Sequence, residues 1–431
     1  MIIYTVKSGD SVYSIAREFN VPPTRIVTDN ALANPSRLTV GQSLAILYPM
    51  ETYTVKGGDT LNSIANATGA SLGELWRNNP VLGGTANVYP GQVLNIRYPE
   101  QEYGEISTNG YVYPFVERAV LRRTLPYLTY LSIFSYGFKE DGTLLPPNGG
   151  DDEIIALAKE YGTVPILTLT SITEKGTFSS ELVEKLLSSD DLLESVASEL
   201  VRTAQEKGYG GIDLDFEYIP AQYAEVYASF AELLRNMLPD GFVVFTSLAP
   251  KTSADQRGLL YEGHNYRLIG ESADRVLLMT YEWGYTYGPP LAVAPLPQVR
   301  RVIEYALTEI PAEKIFMGIP NYGYDWKLPY VRGESKAQSI SNEEALRIAM
   351  ERKAQIQYDE LAQTPYFTYY AANGSGGVSE HVVWFDDVRS MNTKLRIINE
   401  YGLFGGGVWN VMKYFPGLWT VMNSLYKIRK Q

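Results

Sequence analysis

Residues 208–218 read Gly-Tyr-Gly-Gly-Ile-Asp-Leu-Asp-Phe-Glu-Tyr, and within them Asp213, Asp215 and Glu217 alternate with Ile212, Leu214 and Phe216. A period of two is what a β-strand produces by sending neighbouring side chains to opposite faces. Three carboxylates therefore share one face, and the apolar partners require packing on the other. The acidic face is either a polar edge or the lining of an interior cavity. Edge strands favour lysine and mixed charge over three acids in register, which favours the cavity. Carboxylates two residues apart lie about 6.6 Å from each other along a strand, so they raise one another's pKa and titrate together. Such clustering costs stability and is commonest where protons are moved.

The 431 residues suit one large barrel with smaller modules, and 45% hydrophobic with 20% charged residues is a folded-protein balance. A formal charge of -12 with no dense Lys/Arg cluster argues against nucleic acid as a partner. Cysteine is absent, which removes disulfides, thiol catalysis and cysteine-ligated metals. His264 and His381 are the only histidines, so a His-rich zinc hydrolase is excluded and a Ser-His-Asp enzyme disfavoured. No cofactor or metal is expected. No apolar run approaches the roughly 20 residues that span a bilayer, and Met1 leads into a repeat without a secretory leader. The expectation is a monomer that neither enters a membrane nor carries a signal peptide.

Two copies of one unit open the chain. Tyr4-Thr5-Val6-Lys7-Ser8-Gly9-Asp10-Ser11 recurs as Tyr53-Thr54-Val55-Lys56-Gly57-Gly58-Asp59-Thr60, and Val40-Gly41-Gln42 recurs as Pro90-Gly91-Gln92. Each copy reads strand, helix, helix, strand. Val12, Ile15, Ala16 and Leu61, Ile64, Ala65 follow the helical i, i+3, i+4 spacing after a cap at Asp10 and at Asp59 or Thr60, and Ser71 with Glu74 forms a capping box. The Tyr-Thr-Val-x-x-Gly-Asp start, the Ile-Ala helix, Asn78-Asn79-Pro80 and the Pro-Gly-Gln turn resemble LysM modules. That resemblance implies binding of N-acetylglucosamine polymers, peptidoglycan or chitin, in the groove between the opening turn and the later helix–strand turn. It places contacts near Gly9, Asp10, Ser11 and Val12, and near Gly58, Asp59, Thr60, Leu61 and Asn87. Asp10 and Asp59 are equally read as turn and cap residues. The first copy departs from the pattern, with Asp29-Asn30-Ala31 in place of Asn-Asn-Pro. The modules are expected over 1–49 and 50–99.

From Tyr103 onward β-rich segments alternate with amphipathic helices. Strands are expected over 105–111, 130–135, 164–169, 211–217, 242–247, 276–281, 315–320 and 403–411, each followed by helical material. Eight such units argue for an α/β protein, a (β/α)8 TIM barrel over 100–431, preceded by the two small βααβ modules. Roughly sixty residues between strand seven and the helix at 391–401 hold helical and strand-like stretches, which reads as a small α+β insertion at about 327–385.

Active sites of such barrels gather at the carboxyl ends of the strands. The stretch ending on Glu217, Met279-Thr280-Tyr281-Glu282 on strand six and Trp409 on strand eight resemble family 18 glycoside hydrolases. The resemblance covers essentially 103–431. It implies that Glu217 is the general acid and base, that Asp215 orients the substrate's acetamido group, that Asp213 shares a proton with Asp215, and that Tyr281 bonds the acetamido oxygen. Trp409 would stack beneath the sugar, with Met279, Glu282, Trp283, Asn321 and Tyr322 as further substrate contacts. Two residues depart from the family pattern: Gly210 stands for its first aspartate and Glu282 for the aspartate after the tyrosine. With the LysM-like pair, the whole chain resembles peptidoglycan N-acetylglucosaminidases that endospore formers lay down in the spore and use on cortex at germination. A chitinase and a catalytically silent glycan-binding protein are the alternatives.

Overall fold

The computed structural model describes residues 1–99, 101–372 and 376–430; the expected barrel limits Glu100 and Gln431 fall outside them. Eight parallel strands close into a barrel: β1 (Glu105–Val112), β2 (Tyr130–Phe138), β3 (Val164–Leu169), β4 (Gly211–Leu214), β5 (Val243–Leu248), β6 (Arg275–Leu278), β7 (Ile315–Pro320) and β8 (Gly405–Trp409). Each pairs with its sequence neighbour, and β8 pairs with β1 to complete the ring. Alternation along the strands decides the layers. Ile212 and Leu214 on β4 point outward into the core shared with the helices, while Asp213 is fully buried between them on the other face. The barrel interior is floored by Tyr130, Ile166, Phe245, Leu277 and Phe316, with Phe245 5.1 Å from Tyr130 and 5.6 Å from Phe316, centroid to centroid. The floor is packed, so polar chemistry is confined to the strand ends above it.

The helices form where their apolar spacing allows. The stretch from 180 to 207 is two helices, Ser180–Leu187 and Asp190–Lys207, because Ser189 caps the second through Leu192 N. The second buries Leu193, Val196, Ala197, Leu200, Val201 and Ala204 along one stripe and ends at Gly208 with φ 78°. Just past it, buried Asp151 accepts from Tyr136 Oη (2.8 Å), Tyr209 Oη (2.5 Å) and Lys207, so β2, this helix end and the approach to β4 meet on one carboxylate.

After β7 the chain makes a five-stranded antiparallel sheet, ordered 338–340, 323–327, 378–384, 364–372 and 357–359, with the helix Asn342–Arg352 beside it. Its first strand in chain order, Gly323–Lys327, begins ahead of the expected insertion start at about 327.

Both N-terminal repeats are strand, helix, helix, strand with an antiparallel strand pair. The caps fall to Ser11 and Thr60, each in a capping box, rather than to the aspartates before them. Asp10 and Asp59 instead accept from Tyr4 Oη and Lys7 N, and from Tyr53 Oη and Lys56 N, at 2.7 to 2.9 Å. Asn30 and Asn79 play one role. Each side-chain amide clasps the N–H and C=O of a closing-strand residue, Ala45 or Asn95.

The repeats meet the barrel through different faces. In the first, Val40 C=O accepts from Ile356 N (3.0 Å), Ser43 Oγ from Arg389 N (3.3 Å), and every residue of Ser43–Ile46 is buried. In the second, Gly84 C=O accepts from Tyr161 Oη (2.5 Å), Arg77 C=O from Tyr127 Oη (3.0 Å), and Trp76 packs on Tyr161. A Cβ on Gly41 would stand 1.9 Å from Ile356 C=O, whereas its counterpart Gly91 has open space. Both glycines have φ near +88°, so alanine carries the same backbone strain at either. Gly41→Ala is therefore expected to lower the melting temperature by several degrees more than Gly91→Ala. Calorimetry on the two full-length variants checks this, and equal losses would mean the first repeat does not depend on this contact.

Candidate active site

The β4 ladder ends at Leu214, three residues short of Glu217. Asp215 N still donates to Leu169 C=O (3.0 Å), and the chain then turns away, reaching φ 58° at Tyr218. The expected strand extent is thus too long, because pairing stops where the cleft opens. The alternation survives: Phe216 joins Ile212 and Leu214 in the outer core, while Asp215 and Glu217 line the cleft. Strand six behaves alike, since β6 ends at Leu278 and Met279 to Glu282 follow it, with φ 69° at Glu282. Gly210, the departure from the family pattern, has a steric reason. A Cβ there would lie 2.3 Å from Val164 Cγ1, so β3 already fills the space of an acid.

Burial sets the electrostatics. It pushes the Asp213 carboxyl up to about 6, against the opposing hydrogen bonds from Tyr111 and from Ser132, whose Oγ donates at 3.1 Å. Asp215 is raised well above its ordinary range by burial first, then by the charges of Glu217 and Asp213. Glu217 is raised by burial and then by Glu282. Glu282 is raised by burial, against hydrogen bonds from Tyr322 and Tyr324. Asp213 Oδ1 and Asp215 Oδ1 have no hydrogen-bond partner. An acid series with unfilled acceptors and no nearby cation holds its protons to higher pH than free carboxyls do.

The cleft has two lobes. One, about 540 Å³, is walled by Asp215, Glu217, Met279, Tyr281, Tyr261 and Phe178 among others. The other, about 720 Å³, runs between β7, the insertion and the loop after β8. Glu282 and Trp409 line both. Trp409 is braced edge-on by Phe134 at 5.0 Å and, at a tilt, by Tyr111 at 5.5 Å.

Of the residues expected at the site, Asp215, Glu217, Met279, Tyr281, Glu282, Tyr322 and Trp409 are brought together at the lobes. Asp213 lies beneath them, fully buried. Asn321 borders the second lobe, but its Nδ2 is spent on Asn410 C=O and Lys413 C=O, both at 2.9 Å, so it shapes the wall. Trp283 lines neither lobe; its side chain packs against the main core and its backbone N–H donates to Val293 C=O. In the repeats, Gly9, Ser11, Gly58, Thr60 and Asn87 are exposed, whereas Val12 and Leu61 are buried in the small cores with no side chain to offer a glycan. Among the described residues no cluster of potential ligands could hold a metal ion, and no helix is long and apolar enough to cross a membrane.

One residue that sequence reasoning passed over, noting it only as one of two histidines, is His264. Its imidazole is fully buried, with Nδ1 accepting from Ala249 N (2.8 Å) and Nε2 2.9 Å from Phe216 C=O. Because a backbone N–H points at Nδ1, the proton sits on Nε2 and is donated to Phe216. This pins the carbonyl immediately before Glu217 where the β-ladder has ended.

The closed parallel barrel, the acid series at the end of β4 and the tryptophan at the end of β8 define a glycoside hydrolase. The chain belongs to glycosyl hydrolases family 18, whose pattern matches residues 157–413, and LysM domains match 4–46 and 53–97. It is 38% identical over 438 residues to the cortical fragment-lytic enzyme of Bacillus subtilis (strain 168), covering 100% of this chain and 99% of the relative. The crystal structure of the Bacillus cereus spore cortex-lytic enzyme SleL superposes with a TM-score of 0.83 at 34% identity, over 100% of this chain and 98% of that one. The Bacillus megaterium QM B1551 SleL structure gives 0.81 at 36%, over 100% and 99%.

Burial, with a smaller push from Lys251, lowers His264 to about 4 from an ordinary 6.5. An unfolded chain therefore takes up a proton that the fold refuses, and the clamp's stabilisation, complete above pH 6.5, is lost as pH falls toward 4. His264→Gln is expected to flatten the wild-type fall in denaturation midpoint between pH 7 and 4.5. Thermal unfolding at the two pH values tests it, and parallel falls would show that His264 is not the acid-sensitive group.

Proposed function

We propose that this chain degrades spore cortex peptidoglycan, or its fragments, as an N-acetylglucosaminidase acting with retention through the substrate's own acetamido group. It is read as acting in the spore cortex and coat region during germination, with the LysM pair holding the polymer. The full-length likeness to cortical fragment-lytic enzymes supports the substrate. The observation that carries the chemistry is the acid inventory of the cleft. Glu217, whose hold on a proton burial strengthens, stands at an open wall, Asp215 lies beside it on the same segment, and the remaining carboxylate, Glu282, has its oxygens taken by Tyr322 and Tyr324 hydroxyls, the latter at 3.1 and 3.3 Å. A two-carboxylate retaining enzyme needs a free nucleophile across the sugar from the acid. Here that part falls to the substrate.

In this reading Trp409 carries the reacting sugar, with Met279, Glu282 and Tyr322 around it. Glu217 gives its proton to the glycosidic oxygen as the C1–O bond breaks, and the acetamido carbonyl oxygen bonds to C1. The leaving chain departs with that proton. Asp215, sharing a proton with Asp213 beneath it, accepts a hydrogen bond from the acetamido N–H and offsets the positive charge of the oxazolinium, while Tyr281 donates to the acetamido oxygen. Glu217, now a carboxylate, takes a proton from water, which attacks C1 and restores the acetamide with retained configuration. Muramic lactam has no acetyl group to offer, so where the polymer carries the lactam the reacting sugar is N-acetylglucosamine.

Glu217→Gln is expected to retain binding to insoluble peptidoglycan and to lose at least about 10³-fold in kcat. Retained turnover would remove Glu217 as the acid. Mass spectrometry of wild-type products from cortex is expected to find N-acetylglucosamine at the new reducing ends. Muramic ends would refute the bond assignment, and equal rates on chitin oligomers and cortex fragments would favour a chitinase.

A further inference from the structure

The two lobes differ in charge. The lobe that holds Glu217 has no lysine or arginine on its wall, and three of its side chains are the acids Asp215, Glu217 and Glu282. The second lobe has one basic side chain, Lys413. Of the two acids on the same wall, Glu344 is already paired with Arg347 at 2.5 Å, and Glu282 is occupied by the Tyr322 and Tyr324 hydroxyls. Glu343 close by feels both Lys413 and Arg123 but does not line the lobe. Lys413 is exposed, and among the described residues its ammonium has no ion-pair partner. Its backbone is fixed, because Asn321 Nδ2 holds the Asn410 and Lys413 carbonyls, so the lysine projects from an anchored loop.

The direction of the polymer follows from the acid. Glu217 must stand beside the oxygen it protonates, so the departing chain occupies the lobe with Glu217, Tyr218 and Tyr261. The retained chain then crosses Trp409 into the second lobe. In a polymer where N-acetylglucosamine alternates with a muramic sugar, an N-acetylglucosamine over Trp409 puts a muramic sugar in that lobe. A muramic sugar with an open lactyl arm carries a carboxylate, on the arm or on the amino acid attached to it. A cleft with this acid load, in a chain of formal charge -12, repels such an anion unless a cation meets it. Chitin brings no anion and has no use for one.

Resting on the reading of the site above, we propose that the second lobe seats a carboxylate-bearing muramic sugar and that Lys413 is the residue selecting it over the N-acetylglucosamine of chitin. Three oligosaccharides of equal length test this: N-acetylglucosamine alternating with muramoyl-L-alanine, the same chain with muramic lactam, and a chitin oligomer. The quantity read is kcat/KM on the first chain divided by that on each of the others. Lys413→Gln is expected to lower both ratios about tenfold, chiefly through KM, and Lys413→Glu further. Lys413→Arg is expected to restore them, and added salt to shrink the wild-type preference. Ratios within twofold of wild type would overturn the proposal. So would a lactam arm that falls with the muramoyl-alanine arm, since that loss would be one of shape and not of charge. Wild-type enzyme that cleaves none of the three would instead sink the functional reading, which keeps the two failures distinct.

Discussion

Holding carboxyl groups out of water is the cost around which this molecule is arranged. Burial is the leading cause of the upward shift at Asp213, Asp215, Glu217 and Glu282 alike. An ionised carboxylate in such a place costs several kcal/mol unless it is paired, and the group escapes by keeping a proton. Pairing is withheld here. Ser132 reaches Asp213, yet one oxygen of Asp213 and one of Asp215 stay without partners, and no basic side chain lines that lobe. An arginine beside these acids would pull their pKa values down by roughly 1–3 units and leave Glu217 with nothing to donate. The closed barrel with its aromatic floor is what tolerates this, because its strands cannot relax apart to admit water.

Glu217 and Glu282 stand just beyond regular structure, and each segment is held there by side chains from elsewhere. Phe216 C=O, next to Glu217, accepts a hydrogen bond from His264 Nε2–H instead of from a strand partner. Glu282, past the end of β6, is fixed by two tyrosines from the β7 side. Tyr218 and Glu282 both adopt positive φ, which costs a non-glycine residue on the order of 1 kcal/mol. That strain falls where each strand hands its chain over to the cleft, which is where side chains must leave the alternating pattern to converge.

What could be read from the sequence followed from periodicity. Alternation at Ile212, Leu214 and Phe216 revealed the buried face of β4, and the eight strand–helix units revealed the barrel, because burial imposes those periods directly. Strand ends were overestimated at β4 and β6, since hydrogen-bond pairing stops for reasons that lie in neighbouring strands. The tandem repeat was legible from identity between copies, but the division of labour within it was not. Asp10 and Asp59 have the same sequence context as helix caps and turn out to tie down a tyrosine and a turn amide. Trp283 stands beside Glu282 in the chain and still faces the core, and His264 offered no spacing to mark it as a clamp.

The two repeats show how one sequence pattern takes on different tasks by changing its outer face. At matched positions the first has Thr39, Ser43 and Ala45, small and buried, where the second has exposed Tyr89 and Val93 and the buried Asn95. The small residues let helix Val388–Glu400 and the insertion close on the first repeat, with Ala45 entering the barrel's own core. Asn95 meets Arg25 of the first repeat, which also bonds Tyr98 (2.6 Å), so the pair is joined to itself as well as to the barrel. Tethering by a loose linker would spread a bound polymer over many positions relative to the cleft. Docking through defined contacts narrows them, so the binding surfaces and the cleft present themselves to one strand of polymer in a limited set of arrangements. That suits a substrate which is itself a fixed network rather than a free chain.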